Sequence, residues 1–207
     1  MRAIDYLKHE GVAATVKKVL TKLQSKMGGS ASRTIFFVSD NPIIGDIGLA
    51  DGYSIRQLSE SDSREFSEIN FFPHIDTDSY LSSSCDGAFG CFFQGAMCGY
   101  VCFETKKLKH LHGTGDFALN DHEAWIGPCY VQRNHRGKGL NGAMVRFAMK
   151  SLSKLNINHY FTAINGANIS SLASFDGNGF RRLGFFSRKR GLICDSENTC
   201  LTDRLDA

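Results

Sequence analysis

At 207 residues, with 42% hydrophobic and 22% charged residues, the chain has the size and composition of one globular domain with an appended element, and a second large core is excluded. A net charge of +3 argues against sequence-independent binding to a nucleic-acid backbone, so any anionic partner must be met by a local basic patch. Seven cysteines, odd in number and without a CxxC pair, read as reduced and mostly buried thiols of a cytoplasmic protein, and no stretch approaches the roughly 18 apolar residues of a membrane span.

Residues 1 to 27 place Val12, Val16, Val19, Leu20, Leu23 and Met27 at helical spacing, with Lys17, Lys18, Lys22 and Lys26 largely off that stripe. This predicts an amphipathic basic helix that packs on protein, its own domain or a second copy in a homodimer; a membrane surface or an acidic carrier protein is the other partner such a stripe suits. Glycines and serines at 28 to 32 read as a joint, so the chain divides into a helix and linker at 1–33 and a domain at 34–207.

Thr34 to Val38 and YSIRQL from Tyr53 are strand-like, and Glu60 to Ile69 is a predicted helix that Ser59 can cap. A second short helix is expected from Asp76 to Leu81. AFGCFF and MCGYVCFE, separated by Gln94-Gly95-Ala96, form a predicted hairpin. The link at 105 to 122 reads as a solvated basic loop; it holds His110-Leu111-His112, but no third ligand at metal spacing, so no metal site is expected.

Ala124 to Val131 is strand-like despite Pro128, which a central strand accepts only at a bulge or where a neighbouring strand has separated. Leu140 to Leu155 carries a clear helical stripe, ended by Asn156. A strand over HYFTAI, a turn at NGAN, a short helix from Ser170 to Asn178 and two final strands, FRRLGFFS and LICD, complete the pattern.

Between strand and helix lies RNHRGKGLNG, residues 133 to 142, with three glycines and Arg133, His135, Arg136 and Lys138. Glycines let successive backbone N–H groups converge on one anion, a helix N-terminus adds its dipole, and cations neutralise the rest, so the turn reads as a phosphate cradle. It is not a P-loop, since no GxxxxGK run exists. Its GxGxxG spacing lacks the acidic residue some 20 positions on that a dinucleotide site needs.

HRGKGLNGAMVRFAM resembles the acyl-CoA-binding motif of the GNAT N-acetyltransferase superfamily, with Arg136, Gly139 and Asn141 at the matching positions and Asn141 in place of a small residue. A second motif resembles the family too: Asn168, Ser171, Phe175, Gly179 and Phe180 stand at its steps, with Phe175 where the family has tyrosine. The likeness covers about residues 52 to 195.

The resemblance implies an α/β (α+β) fold: a mixed sheet of six or seven strands with helices on both faces, whose fourth and fifth strands splay apart, which accommodates Pro128. It implies acetyl-CoA as acyl donor, with backbone amides around Arg136, Gly137, Lys138, Gly139, Leu140 and Asn141 holding the pyrophosphate and Arg136 and Lys138 as charge partners. Val131 would pair with the pantetheine, and Asn168, Ser171 and Phe175 would line its far end. Amine acylation by direct attack needs a base and an acid. Glu123, thirteen residues before Arg136, is the expected base, with Tyr130, His122 and Asp121 as further candidates. Phe175 has no proton to give. The expected activity is acyl transfer from acyl-CoA to the amine of a small molecule or amino sugar. The alternatives are a degenerate acyl-CoA-binding regulatory module and an acyltransferase served by an acyl carrier protein.

Overall fold

The computed structural model describes residues 34–40, 45–72, 75–108, 117–187 and 191–194. The predicted N-terminal helix and the His110-Leu111-His112 segment lie outside the described residues. Strands β1 (Thr34–Ser39), β2 (Tyr53–Gln57), β3 (Asp86–Phe93), β4 (Ala96–Glu104), β7 (Glu123–Val131), β8 (His159–Asn165), β9 (Arg181–Ser187) and β10 (Gly191–Cys194) form one sheet. Its order is β10-β9-β1-β8-β7-β4-β3-β2. Among the described strands only β7 and β8 run parallel; the other pairs are antiparallel, so the sheet is mixed.

Two differences from the expected elements have local causes. The link before β7 contains a small hairpin, β5 (Lys107–Leu108) with β6 (Phe117–Ala118), whose two-residue strands are too short to display a period. And β1 enters the sheet between β8 and β9, antiparallel to both, adding a strand that no local pattern could place.

The β3–β4 hairpin turns on Gln94 (φ 50) and Gly95 (φ 87), the paired left-handed conformations whose twist matches the flanking strands. Both faces are covered. On one, α3 (Leu140–Ser153) lays Leu140, Met144, Val145, Ala148, Met149 and Leu152 against Val101, Ala124, Ile126 and Tyr160. On the other, α1 (Ser63–Ile69) and α2 (Thr77–Ser82) bring Phe66, Ile69 and Tyr80 onto Met97, Tyr100, Cys102 and Tyr130. Burial pushes the Tyr80 phenol far above its usual range, and its hydroxyl donates to the buried Glu104.

Ser59 is the N-cap of a 3-10 turn, Glu60–Asp62, that precedes α1, and Asp62 is the N-cap of α1 itself. Asp62 accepts from the Ser59 backbone N–H at 2.9 Å, and Arg56 grips the same carboxylate at 2.8 and 2.6 Å. The Arg56 bonds hold the Asp62 carboxyl far below the usual carboxylate range despite its burial. A group with a depressed folded-state pKa contributes stability above its unfolded pKa, near 4, and loses it as pH falls towards the folded value. Asp62→Asn should therefore lower stability by about 1 kcal/mol at pH 7, Arg56 being half exposed. Urea unfolding across pH should show the gap from wild type closing below pH about 3.

Candidate functional site

The glycine-rich turn folds as an open cradle. Arg133–His135 make one turn of 3-10 helix, Gly137 and Gly139 take left-handed φ values of 78° and 72°, and Gly139 is the N-cap of α3. The first intrahelical bond runs from Ala143 N–H to the Gly139 carbonyl at 3.0 Å, so the amides from Gly139 to Gly142 have no acceptor within the helix. A Cβ built on Gly137 or Gly139 would meet nothing within 4 Å, so the surface of the turn is unobstructed there. An anion suits that position, the positive end of a 14-residue helix whose first amides lack intrahelical acceptors. Leu140, 3% exposed, anchors the turn in the core. Gly142 allows a close approach, since a Cβ there would stand 3.3 Å from Ser174 Oγ, on α4 (Ile169–Asp176), and 3.4 Å from Asn178 Nδ2 just after it.

The two cations expected beside the phosphates act first as clips. Arg136 Nε donates to the Val131 carbonyl at 2.9 Å, with its guanidinium 5.6 Å from the Tyr130 ring centre. Lys138 Nζ donates to the Tyr53 hydroxyl at 2.8 Å and lies over the Tyr53 and Phe93 rings. The Tyr53 hydroxyl also shares a hydrogen bond with His135 Nδ1, 2.9 Å away, in the direction the imidazole tautomer sets. The loop is thus tied to the end of β7 on one side and to the edge strand β2 on the other.

The cradle stands at the mouth of a split in the sheet. β7 pairs with β8 only through Glu123, Ala124 and Trp125, opposite His159, Tyr160 and Phe161. From Ile126 to Val131 it keeps β4 as neighbour but leaves β8. Gly127 and Pro128, joined by a cis peptide, lie in this diverging stretch, so the proline removes no bond to β8. Val131, at the open end, is half-buried opposite Gly99.

The second motif takes up structural positions. Asn168 caps α4 by accepting the Ser171 N–H at 3.3 Å, and Ser171 is half-buried. Phe175 is 3% exposed, with its ring 5.0 Å from that of Phe180, because the short helix turns this position inward.

The expected base and its companion share a sheet face. Ala124 and Ile126 point to the α3 side, Tyr130 to the α1–α2 side; by alternation Glu123 and Trp125 also face α1 and α2. Glu123 is 6% exposed, and its carboxylate accepts from the Asn120 N–H at 2.9 Å and Asn120 Nδ2 at 3.2 Å. Tyr130 stacks on Phe71, centroids 5.1 Å apart and planes 7° apart. Tyr100 fixes the loop that carries Phe71, donating to Asn70 Oδ1 at 2.8 Å and accepting the Phe71 N–H at 3.2 Å. Burial raises the Tyr100 phenol well above its usual range, so it stays protonated. Of the further candidates, His122 Nδ1 meets the Asn156 carbonyl at 3.0 Å and Asp121 is exposed in the preceding turn.

One cluster went unsuspected. Asp40, just after β1, meets His159 Nδ1 at 3.2 Å and Arg181 Nη2 at 2.7 Å. No spacing rule joins residues 119 and 141 positions apart; only the insertion of β1 between β8 and β9 brings them together. Among the described residues no group of three or more His, Cys, Asp or Glu could hold a metal ion, and no helix is long and apolar enough to cross a membrane.

The model of the acetyltransferase (GNAT) family matches residues 53–180, from β2 to the end of the second motif. Among solved structures, a GCN5-related N-acetyltransferase from Kribbella flavida is similar at 11% identity and TM-score 0.54, over 73% of this chain and 55% of its own. A GNAT-family protein from Novosphingobium aromaticivorans matches at 14% identity and TM-score 0.54, over 73% and 60%. A tandem GNAT protein from the clavulanic acid biosynthesis pathway matches at 16% and 0.53, over 79% and 55%. This chain thus spans little more than half the length of these neighbours, and at such identities they speak for the fold alone. No curated protein matches. The family match over most of the described fold, on a sheet with the expected split and cradle, identifies the chain as a member of the GNAT acetyltransferase family.

Proposed function

We propose that the protein transfers an acetyl group from acetyl-CoA to the amine of a small molecule or amino sugar by direct attack. The observation that carries this reading is the unobstructed glycine turn at Gly137–Gly139, leading into the N-terminus of α3 at the mouth of the β7–β8 split. Backbone donors there receive the pyrophosphate. The split offers the β8-facing backbone of β7 to the amide groups of the pantetheine arm and leads from the α3 side to the face of Glu123 and Tyr130.

On that face the chemistry needs an amine nitrogen free of its ammonium proton. Its lone pair attacks the thioester carbonyl, the carbon–sulfur bond breaks, and the thiolate leaves and is protonated. Tyr130, beside the Arg136 guanidinium, is placed to supply that last proton; Phe175 is not. Phe71 and Phe72 wall the same face, packed edge to face at 5.2 Å, and give the acceptor an apolar side to lie against.

The test is twofold. Acetyl-CoA at 100 times its Kd should stabilise the protein by about 2.7 kcal/mol, read as a rise in melting temperature. Thiol release from acetyl-CoA should then appear with at least one of spermidine, tyramine, glucosamine and kanamycin. No thermal shift would remove the donor assignment; a shift without thiol release would leave a binding module.

A further inference from the structure

His159 opens β8 as Glu123 opens β7, and the two are partners in the parallel pair. Adjacent strands lie about 4.8 Å apart and paired residues point the same way, so both side chains leave the sheet on the face shared with Trp125 and Tyr130. The strands diverge after Trp125 and Phe161, about 7 Å further along. His159 is therefore at the closed end of the split, on the side opposite the cradle helix.

Its tautomer is settled by its partner. A carboxylate only accepts, so the 3.2 Å contact of His159 Nδ1 with Asp40 Oδ1 places a proton on Nδ1 and leaves the lone pair on Nε2. Burial by itself would raise the Asp40 carboxyl, but the hydrogen bonds from Arg181 and His159 and the Arg181 charge bring it below its ordinary value, and it stays ionised. The backbone is pinned as well, His159 N–H donating to the His122 carbonyl at 3.1 Å. The side chains of His159 and Asp40 are 45% and 37% exposed, so a substrate or water can reach the ring. Glu123 is by contrast 6% exposed and engaged by Asn120 through both oxygens. As a class, moreover, carboxylates are far weaker bases than imidazoles towards an amine at neutral pH.

We propose that His159, oriented by Asp40, is the general base of the acetyl transfer, and that the neighbouring Glu123 carboxylate steadies the imidazolium. Nε2 takes the proton shed by the attacking amine, directly or through one water, as the nitrogen–carbon bond forms and the carbon–sulfur bond breaks. The imidazolium then returns that proton to solvent. The charged and titratable groups around the ring are Asp40 from the end of β1, Glu123 from β7, Arg181 from β9 and His122 from the turn before β7.

This assignment rests on the acyl-transfer reading, and the experiment separates the two. Thiol release with whichever of spermidine, tyramine, glucosamine and kanamycin is accepted is followed across pH for wild type, His159→Gln, Asp40→Asn and Glu123→Gln. Each variant's acetyl-CoA thermal shift serves as the check on folding. His159→Gln should bind acetyl-CoA as wild type, lose on the order of 10²-fold or more in kcat/KM, and lose the acid limb of the profile. Asp40→Asn keeps an acceptor for Nδ1–H but not the charge, so the limb should move to lower pH. That displacement is one a purely structural aspartate would not produce. Glu123→Gln should lower the rate less than His159→Gln and retain the limb. A limb that persists in His159→Gln, or disappears in Glu123→Gln alone, overturns the assignment while leaving acyl transfer intact. Absence of an acetyl-CoA shift or of any thiol release in wild type overturns the transfer reading and this assignment with it.

Discussion

Gly139→Asp should fold normally and bind acetyl-CoA at least about 100-fold more weakly, a loss of about 2.8 kcal/mol. Gly139 sits at φ 72°, a left-handed conformation that aspartate tolerates better than most residues. Nothing within 4 Å would obstruct its Cβ. The fold therefore has little to lose. The new carboxylate, however, would project into the space the phosphate needs and place a negative charge at the N-terminus of α3, satisfying the same amides itself. Gly139→Ala makes the comparison clean, since it carries only the backbone strain of about 1–2 kcal/mol and no charge. Isothermal titration with acetyl-CoA measures both. If Gly139→Asp binds as wild type does, the pyrophosphate is not held at this turn.

Gly99→Val should be the most destabilising single change near the split, by about 3 kcal/mol in urea unfolding. A Cβ on Gly99 would stand 2.8 Å from the Tyr130 carbonyl oxygen and 3.4 Å from Val131 Cα. Both are backbone atoms of β7, so no side chain can swing away to make room. The strand itself must move, and the strand that moves carries Tyr130, Val131 and the root of the cradle. Acetyl-CoA affinity should fall along with stability. Gly95→Ala, at the hairpin tip where nothing lies within 4 Å, should leave acetyl-CoA affinity untouched. Equal affinities in Gly99→Val and wild type would mean that β4 does not set the position of the cradle.

Features written in contiguous residues could be read directly. The turn at 133 to 142, the stripe of α3 and the β3–β4 hairpin are each fixed by a handful of neighbouring side chains, and Pro128 alone pointed to a strand that leaves its neighbour. What could not be read depends on partners distant in the chain. The place of Lys138 in the turn is visible in the sequence; that its ammonium donates to the Tyr53 hydroxyl is not, the two being 85 residues apart. Phe175 occupies the motif position of a functional tyrosine, yet the inward turn of a short helix gives it to the core. The Asp40–His159–Arg181 cluster draws on three strands whose adjacency is a property of topology.

The placement of β1 also constrains how the chain can be made. Residues 34 to 39 leave the ribosome well before the strands that flank them, β8 and β9, which begin at His159 and Arg181. At about 5–20 residues per second, the segment TIFFVS waits on the order of ten seconds with both hydrogen-bonding edges unmatched. An apolar strand in that state is a template for any other chain that reaches it, and its eventual partners are non-local ones that close slowly. Overproduction should consequently fail first by aggregation of nascent chains rather than by instability of finished protein, and slower synthesis or a chaperone that shields extended apolar segments should raise the recovered fraction.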